Sequence, residues 1–196
     1  MDLQLLGRIL LSFFAGAIPF AVVAMWGTGI DITKVGSRNP GFNNVLRVAS
    51  KWRALIALIG DISKGYVALT LLARPQDSLT FLWLLGLAAV VGHCWTPFLG
   101  FKGGKGVATT VGVVFYLEWQ ITLVFPIVYL LLRIFGRRRG WPQEGAIASL
   151  ISMFVVAALV LGLRGGASGL FALIALAILL LRHTSNLRAV LVRAKG

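Results

Sequence analysis

The sequence predicts an all-α integral membrane protein: seven transmembrane helices, N-terminus outside, C-terminus cytoplasmic, with a short fourth helix. Three observations carry that expectation. Of 196 residues, 58 % are hydrophobic and 13 % charged, with a mean hydropathy of +0.89, a balance too apolar for a soluble domain of this length. Apolar runs approaching the roughly 20 residues that cross a hydrocarbon core recur from one end of the chain to the other. Basic residues are confined almost entirely to alternate connections between those runs. Residues 1–196 are therefore expected to form a single seven-helix domain.

The runs lie near Leu3–Trp26, Trp52–Ala73, Leu79–Leu99, Val107–Leu117, Ile121–Phe135, Gly145–Leu163 and Ser168–Leu181. The first follows Arg8 as a signal peptide would. However, the stretch from Ile9 to Trp26 is longer than an ordinary signal core, and Met25-Trp26-Gly27 lacks a small-x-small cleavage pattern, so it is read as a span. The fourth run would reach only about 16 Å as a helix, against a core of roughly 30 Å. It must be tilted, extended by its neighbours or only partly inserted.

Charge sets the orientation. The first, third and fifth connections and the tail hold Lys34, Arg38, Arg47, Lys51, Arg53, Lys102, Lys105, Arg133, Arg137, Arg138, Arg139, Arg182, Arg188, Arg193 and Lys195, fifteen of the 19 basic residues. Arg8, Arg74 and Arg164 lie opposite, and Lys64 is inside a run. Cytoplasmic loops are the Lys/Arg-rich ones, which places the N-terminus outside. Joining the fourth and fifth runs into one span would put Arg137–Arg139 on the wrong face.

The same pattern accounts for the net charge of +13 without nucleic acid, which is not expected as a partner. Cys94 is the only cysteine, so neither a disulfide framework nor a Cys-rich zinc site is available. The acids are Asp2, Asp31, Asp61, Asp77, Glu118 and Glu144. So few, so scattered, they supply no carboxylate-bound metal, and neither metal nor cofactor is expected. A site poor in acids and rich in cations suits anionic substrates.

Three polar segments fall on the predicted cytoplasmic side. Gly36-Ser37-Arg38-Asn39-Pro40-Gly41-Phe42-Asn43-Asn44-Val45-Leu46-Arg47 combines glycines, amides, a hydroxyl and guanidinium groups. Glycines let backbone N–H groups turn toward an anion, and an arginine fork matches phosphate oxygens in pairs. Taken alone, it is equally an ordinary turn with membrane-orienting arginines.

The second segment runs from Gly92-His93 to Phe101-Lys102-Gly103-Gly104-Lys105-Gly106-Val107-Ala108-Thr109 and ends where the fourth helix opens. Amides at a helix N-terminus, helped by a lysine, can cradle phosphate. It is not a Walker A loop, which would need glycine at Leu99 and Ser or Thr at Gly106.

The third segment, Arg182-His183-Thr184-Ser185-Asn186-Leu187-Arg188, sets a histidine and an asparagine three residues apart, within reach of one helical face. A histidine beside a membrane span is either interfacial or, through its pKa, catalytic. Asp61 and Lys64 interrupt an apolar run at i,i+3 and can neutralise each other, as a structural pair or as substrate contacts.

These three segments together resemble the motifs of the bacterial acyl-phosphate:glycerol-3-phosphate acyltransferase family, known as PlsY, over essentially the full length. The stretch Phe101–Thr109 after Gly92-His93 is the most specific part of the likeness, and Asp61-x-x-Lys64-Gly65 adds to it. The resemblance implies transfer of an acyl group from a fatty acyl phosphate to the 1-hydroxyl of glycerol 3-phosphate, giving lysophosphatidic acid and inorganic phosphate. This is the first acylation of bacterial phospholipid synthesis.

By the same likeness Ser37, Arg47, Lys105, His183 and Asn186 take catalytic roles. Substrate-binding roles fall to Gly36, Asn39, Asn43, Asn44, Lys102, Gly103, Gly104 and Gly106. The implied partners are glycerol 3-phosphate, acyl phosphate and membrane lipid; the implied setting is the bacterial inner membrane, with a monomer whose active site faces the cytoplasm. The chain departs from the family pattern in three places: Arg38 stands where glycine is usual, Asn43 where threonine is, and Asn186-Leu187-Arg188-Ala189-Val190 matches the family's Asn-Ile-x-Arg-Leu only weakly.

With no carboxylate base in place, the expected mechanism is substrate-assisted: Arg47, Lys105 and loop amides neutralise the phosphates, while Ser37, His183 and Asn186 orient the reacting groups. The alternatives are a small anion transporter, a structural membrane subunit and a catalytically degenerate member of the family. The polar segments share no internal symmetry of the kind transporters show.

Overall fold

The computed structural model describes residues 2–193, Arg193 by its backbone alone; Lys195, one of the tail cations, lies outside the described residues. Among those residues the secondary structure is helical, without a strand: α1 (Leu3–Ala17), α2 (Phe20–Met25), α3 (Phe42–Val48), α4 (Lys51–Leu72), α5 (Leu79–Cys94), α6 (Val107–Leu117), α7 (Trp119–Thr122), α8 (Val124–Arg138), α9 (Glu144–Arg164), α10 (Gly166–Arg182) and α11 (Thr184–Arg193). A 3₁₀ turn, Pro97–Leu99, follows α5. Five helical stretches have the length and apolarity to cross a membrane: Leu3–Met25, Lys51–Leu72, Leu79–Leu99, Trp119–Arg138 and Glu144–Arg164. A sixth arises if Gly166–Arg182 and Thr184–Val192, bent by 59°, form one span. Val107–Leu117 is the short apolar helix that its sequence predicts. Large apolar side chains face outward, Leu71 at 76 % and Leu131 at 64 % exposure, which water would penalise and lipid would not.

The chain forms two compact units, residues 1–117 and 118–196. In the first, α1 packs on α5 and α4 on α6, while α2 and α3 lie against α4. Glycine sets both main contacts. A Cβ on Gly16 would overlap the Ala89 backbone, and one on Gly92 the Phe13 carbonyl; likewise Gly65 meets the Thr109 carbonyl and Gly112 that of Ile62. Hydrophobic burial does not draw helices together in lipid, so such backbone approach is how they gain packing energy.

The first apolar run is not one helix. Pro19 has no N–H, and Ile18 before it leaves the α region (φ −57°, ψ 119°), as a residue preceding proline tends to do. Two side chains take up the carbonyls at the break: Thr96 Oγ1 donates to Ala17 O at 2.7 Å and Lys64 Nζ to Ile18 O at 2.7 Å. On the opposite end of this unit, Arg8 is bonded to the Leu72 carbonyl and to both Asp77 oxygens, Nη1 to Oδ1 at 2.9 Å, and lies over the Phe81 ring.

In the second unit α9 packs between α8 and α10. Arg164 Nε donates to Glu118 Oε2 at 2.8 Å, and Glu144 lies within ion-pair distance of Arg133 (3.4 Å) and Arg137 (3.7 Å). The arginines read as a connection from Arg133 onward belong to α8 as far as Arg138. Cations in a last helical turn complement the helix dipole.

Candidate active site

The first polar segment is a loop tied down by one amide. Asn44, 1 % exposed, accepts the Ser37 backbone N–H on Oδ1 at 2.8 Å and donates from Nδ2 to Ile32 O at 3.1 Å and Val35 O at 3.0 Å. Both N–H donors and the amide oxygen are thus used within the protein. Asn44 thereby shapes the loop from within. Gly36 has φ +59°, and a Cβ there would overlap Asn44 Oδ1, so the missing side chain admits the amide. Beneath the loop Ile32 and Val45 are buried with Ala21, Ala24, Ala54 and Ala57, and Val35, Phe42 and Leu46 pack on them.

With its backbone anchored, the loop turns its reactive side chains outward. Ser37, Arg38, Asn43 and Arg47 are exposed and Asn39 is half-buried. Arg47 closes the last turn of α3. Arg38, in the position where the family pattern has glycine, retains a left-handed backbone at φ +58°.

The glycine-lysine segment doubles back on the end of α5. After the left-handed pair Gly100 and Phe101, Gly103 N donates to Cys94 O at 3.2 Å and Gly104 N to His93 O at 3.1 Å. The Cys94 and His93 carbonyls thus hold those two amides. The missing side chains matter as well, because a Cβ on Gly103 would overlap the His93 carbonyl and one on Gly104 the His93 imidazole at Nε2. Lys105 is half-buried and Lys102 exposed, and the first N–H groups of α6 have no intrahelical acceptor. Gly106, at φ +86°, makes the turn into that helix. Thr109, fully buried on its first turn, has an Oγ1 without a hydrogen-bond partner among the described residues.

From the sequence, Asp61 and Lys64 admit two roles and His93 none in particular. In the structure Asp61 Oδ1 lies 2.8 Å from Lys64 Nζ and 3.5 Å from His93 Nδ1. All three side chains are buried. Lys64 also donates to Ile18 O. The double glycine was the available signal for His93, since two adjacent residues without side chains mark a close approach by something.

In the second unit His183 sits at the bend between α10 and α11, buried at 2 % exposure. Its Nδ1 is 2.8 Å from Leu179 O. A carbonyl only accepts, so in the neutral ring Nδ1 carries the proton and Nε2 is the acceptor. Asn186 Nδ2 donates to Gln143 Oε1 at 2.6 Å. His183 caps α10, and its carbonyl accepts the Leu187 N–H of α11 at 3.0 Å, the helix in which Asn186 stands.

The sequence profile of the Glycerol-3-phosphate acyltransferase family matches residues 6–193. The chain belongs to that family. Relatives within it include glycerol-3-phosphate acyltransferases of Neisseria gonorrhoeae, 38 % identical over 185 residues (91 % of this chain, 90 % of that one), and of Deinococcus radiodurans, 38 % identical over 190 residues (96 % and 92 %). A Thermotoga maritima relative is 33 % identical over 183 residues (93 % and 90 %). The crystal structure of PlsY, an integral membrane glycerol 3-phosphate acyltransferase, in its glycerol 3-phosphate form superposes with a TM-score of 0.85 at 30 % identity, covering 96 % of this chain and 92 % of that one. Its lysophosphatidic acid form gives 0.83 at 29 %. With its apolar helices, this acyltransferase-family member is a multi-pass membrane protein.

Proposed function

We propose that the chain transfers a fatty acyl group from acyl phosphate to the 1-hydroxyl of sn-glycerol 3-phosphate, giving lysophosphatidic acid and inorganic phosphate at the first acylation of bacterial phospholipid synthesis. The observation that carries the reading is the likeness, over 96 % of the chain, to a protein crystallised with glycerol 3-phosphate. The family profile covers both compact units, which supports treating residues 1–196 as one catalytic domain and a monomer as the working unit. Seven spans with an outside N-terminus in the bacterial inner membrane, and a site facing the cytoplasm, follow from the one-sided distribution of Lys and Arg.

In the proposed reaction the acceptor hydroxyl attacks the acyl carbonyl carbon. A carbon–oxygen ester bond forms and the carbonyl carbon's bond to the phosphate oxygen breaks. The hydroxyl proton passes to an oxygen of the departing phosphate, so no carboxylate base is called for. Arg47, Lys105 and the opening turn of α6 oppose phosphate charge, and Ser37 binds the acceptor; in the second unit Asn186 carries an acceptor-binding role. His183, its ring fixed by the Nδ1 contact with Leu179 O, orients the reacting groups. Lys102 with Asn39 and Asn43 line the approach. Proximity and charge stabilisation supply most of the rate.

The test is phosphate release from palmitoyl phosphate by purified protein in detergent or lipid mesophase, with and without glycerol 3-phosphate, and the lipid product identified by mass. Acceptor-dependent release with stoichiometric lysophosphatidic acid establishes the activity. A folded sample without turnover overturns it in favour of an inactive family member or an anion carrier.

A further inference from the structure

We propose that His93 is a positioning residue that sets the height of the Gly103–Lys105 loop, with Asp61 fixing the angle of its ring. The proposal rests on the acyltransferase reading above and deepens it. It begins from a chain of contacts within residues 1–117. Lys64 Nζ holds Asp61 Oδ1 at 2.8 Å, and the same oxygen lies 3.5 Å from His93 Nδ1. The opposite edge of the ring faces Gly104, where even one added carbon would overlap Nε2. The His93 carbonyl meanwhile accepts the Gly104 N–H at 3.1 Å. The loop therefore rests on both the backbone and the side chain of one residue.

This arrangement explains three features at once. The carboxylate lies deep in an apolar helix, at 2 % exposure, a location that costs free energy unless cations and donors surround it. Lys64 pairs with its Oδ1 at 2.8 Å and the His93 ring stands 3.5 Å from the same atom, an oxygen without a hydrogen-bond partner among the described residues. The adjacent glycines are required by the ring and carbonyl beneath them. Finally, Lys105 follows Gly104 directly, so a shift of the loop away from the ring carries its ammonium with it. A displacement of about 1 Å at a charge-stabilising group can cost on the order of 100-fold in rate.

The experiment is a double-mutant cycle on the full-length enzyme with His93→Ala, Gly104→Ala and the pair. Gly104→Ala is expected to lower kcat/KM for glycerol 3-phosphate on the order of 100-fold, because the methyl lifts the loop, and Lys105 with it, off the ring. His93→Ala removes what the methyl meets, so adding Gly104→Ala to it should cost about twofold or less. Equal factors for Gly104→Ala with and without His93 would overturn the proposal, as would unaltered kinetics in His93→Ala.

Amide hydrogen exchange at residues 100–107 supplies a readout that needs no turnover. Exchange at Gly103 and Gly104 should accelerate about tenfold in His93→Ala and in Asp61→Asn, with His93→Asn, which keeps a donor toward Asp61, closer to the parent in the angle-dependent part. Unchanged exchange removes the positioning role even in an active enzyme. Accelerated exchange in a protein that makes no lysophosphatidic acid preserves the contact and rejects the reaction. Should His93→Ala not fold, the comparison of His93→Asn with Gly104→Ala carries the same test.

Discussion

The Ser37 backbone N–H ends on the side-chain oxygen of Asn44, 2.8 Å away, so the residue assigned to hold substrate is itself held by a buried amide seven positions along. Asn44→Ala would strand that N–H together with the Ile32 and Val35 carbonyls. The expected loss is about 2 kcal/mol of stability, with kcat/KM falling through the displaced Ser37 hydroxyl. Thermal unfolding and turnover on the same detergent sample check both; a stable variant with parental kcat/KM would return Asn44 to an incidental role.

Arg38 adopts a left-handed backbone at φ +58° with its side chain exposed. Arg38→Gly gains about 1 kcal/mol by removing the Cβ penalty and loses a similar amount to the freer unfolded chain. Stability should change little, and activity should be kept. Arg38→Val, by contrast, places a β-branched residue where it is least tolerated and should lower stability by about 2 kcal/mol. Equal melting temperatures for the two variants would contradict the assignment of strain to this position.

Asp77 has its carboxyl held below the usual range, first by the Arg8 guanidinium hydrogen bond and then by the Arg74 backbone N–H at 2.7 Å. A group whose pKa falls on folding contributes stability that is complete above its ordinary pKa of 3.8. That contribution disappears as pH drops through the lowered folded value. Melting temperature should therefore decline below about pH 4 more steeply in the parent than in Asp77→Asn. At neutral pH the same substitution leaves Arg8 without its carboxylate and costs about 3 kcal/mol. Parallel acid limbs would show that the pair does not govern stability there.

His183→Gln tests the one imidazole proposed to meet substrate. Its amide can bond neither Leu179 O nor a hydroxyl in the imidazole's geometry, and kcat is expected to fall about 100-fold with the fold intact by circular dichroism. Turnover near the parental rate would leave His183 as the residue that caps α10 at its bend.

What was legible in the sequence divides along physical lines. The helical class, the short Val107–Leu117 helix and the separation of the apolar runs at Glu118 were readable because lipid demands length and apolarity over contiguous residues. The break at Pro19 was also written locally, although the run was read as one span through it. Helices α3 and α11 were hidden: each is short and polar, and short helices draw their stability from what they pack on.

The site was legible as residue types in three segments, which amphiphilic composition and family likeness both mark. Its internal assignments were not. Asn44, Gly103 and Gly104 look from composition like donors to a phosphate, yet Asn44 and the two glycine amides spend their hydrogen bonds on Ile32, Val35, Ser37, Cys94 and His93. Hydrogen-bond partners far apart in sequence exist only once helices have packed, and a buried polar group must take whichever partner the packing brings. By itself, then, the sequence determined that the chain lives in lipid and which segments carry its polar chemistry. Tertiary structure alone decided which of those polar groups face outward and which are consumed in holding the loops, because burial leaves no water to satisfy a donor that chooses wrongly.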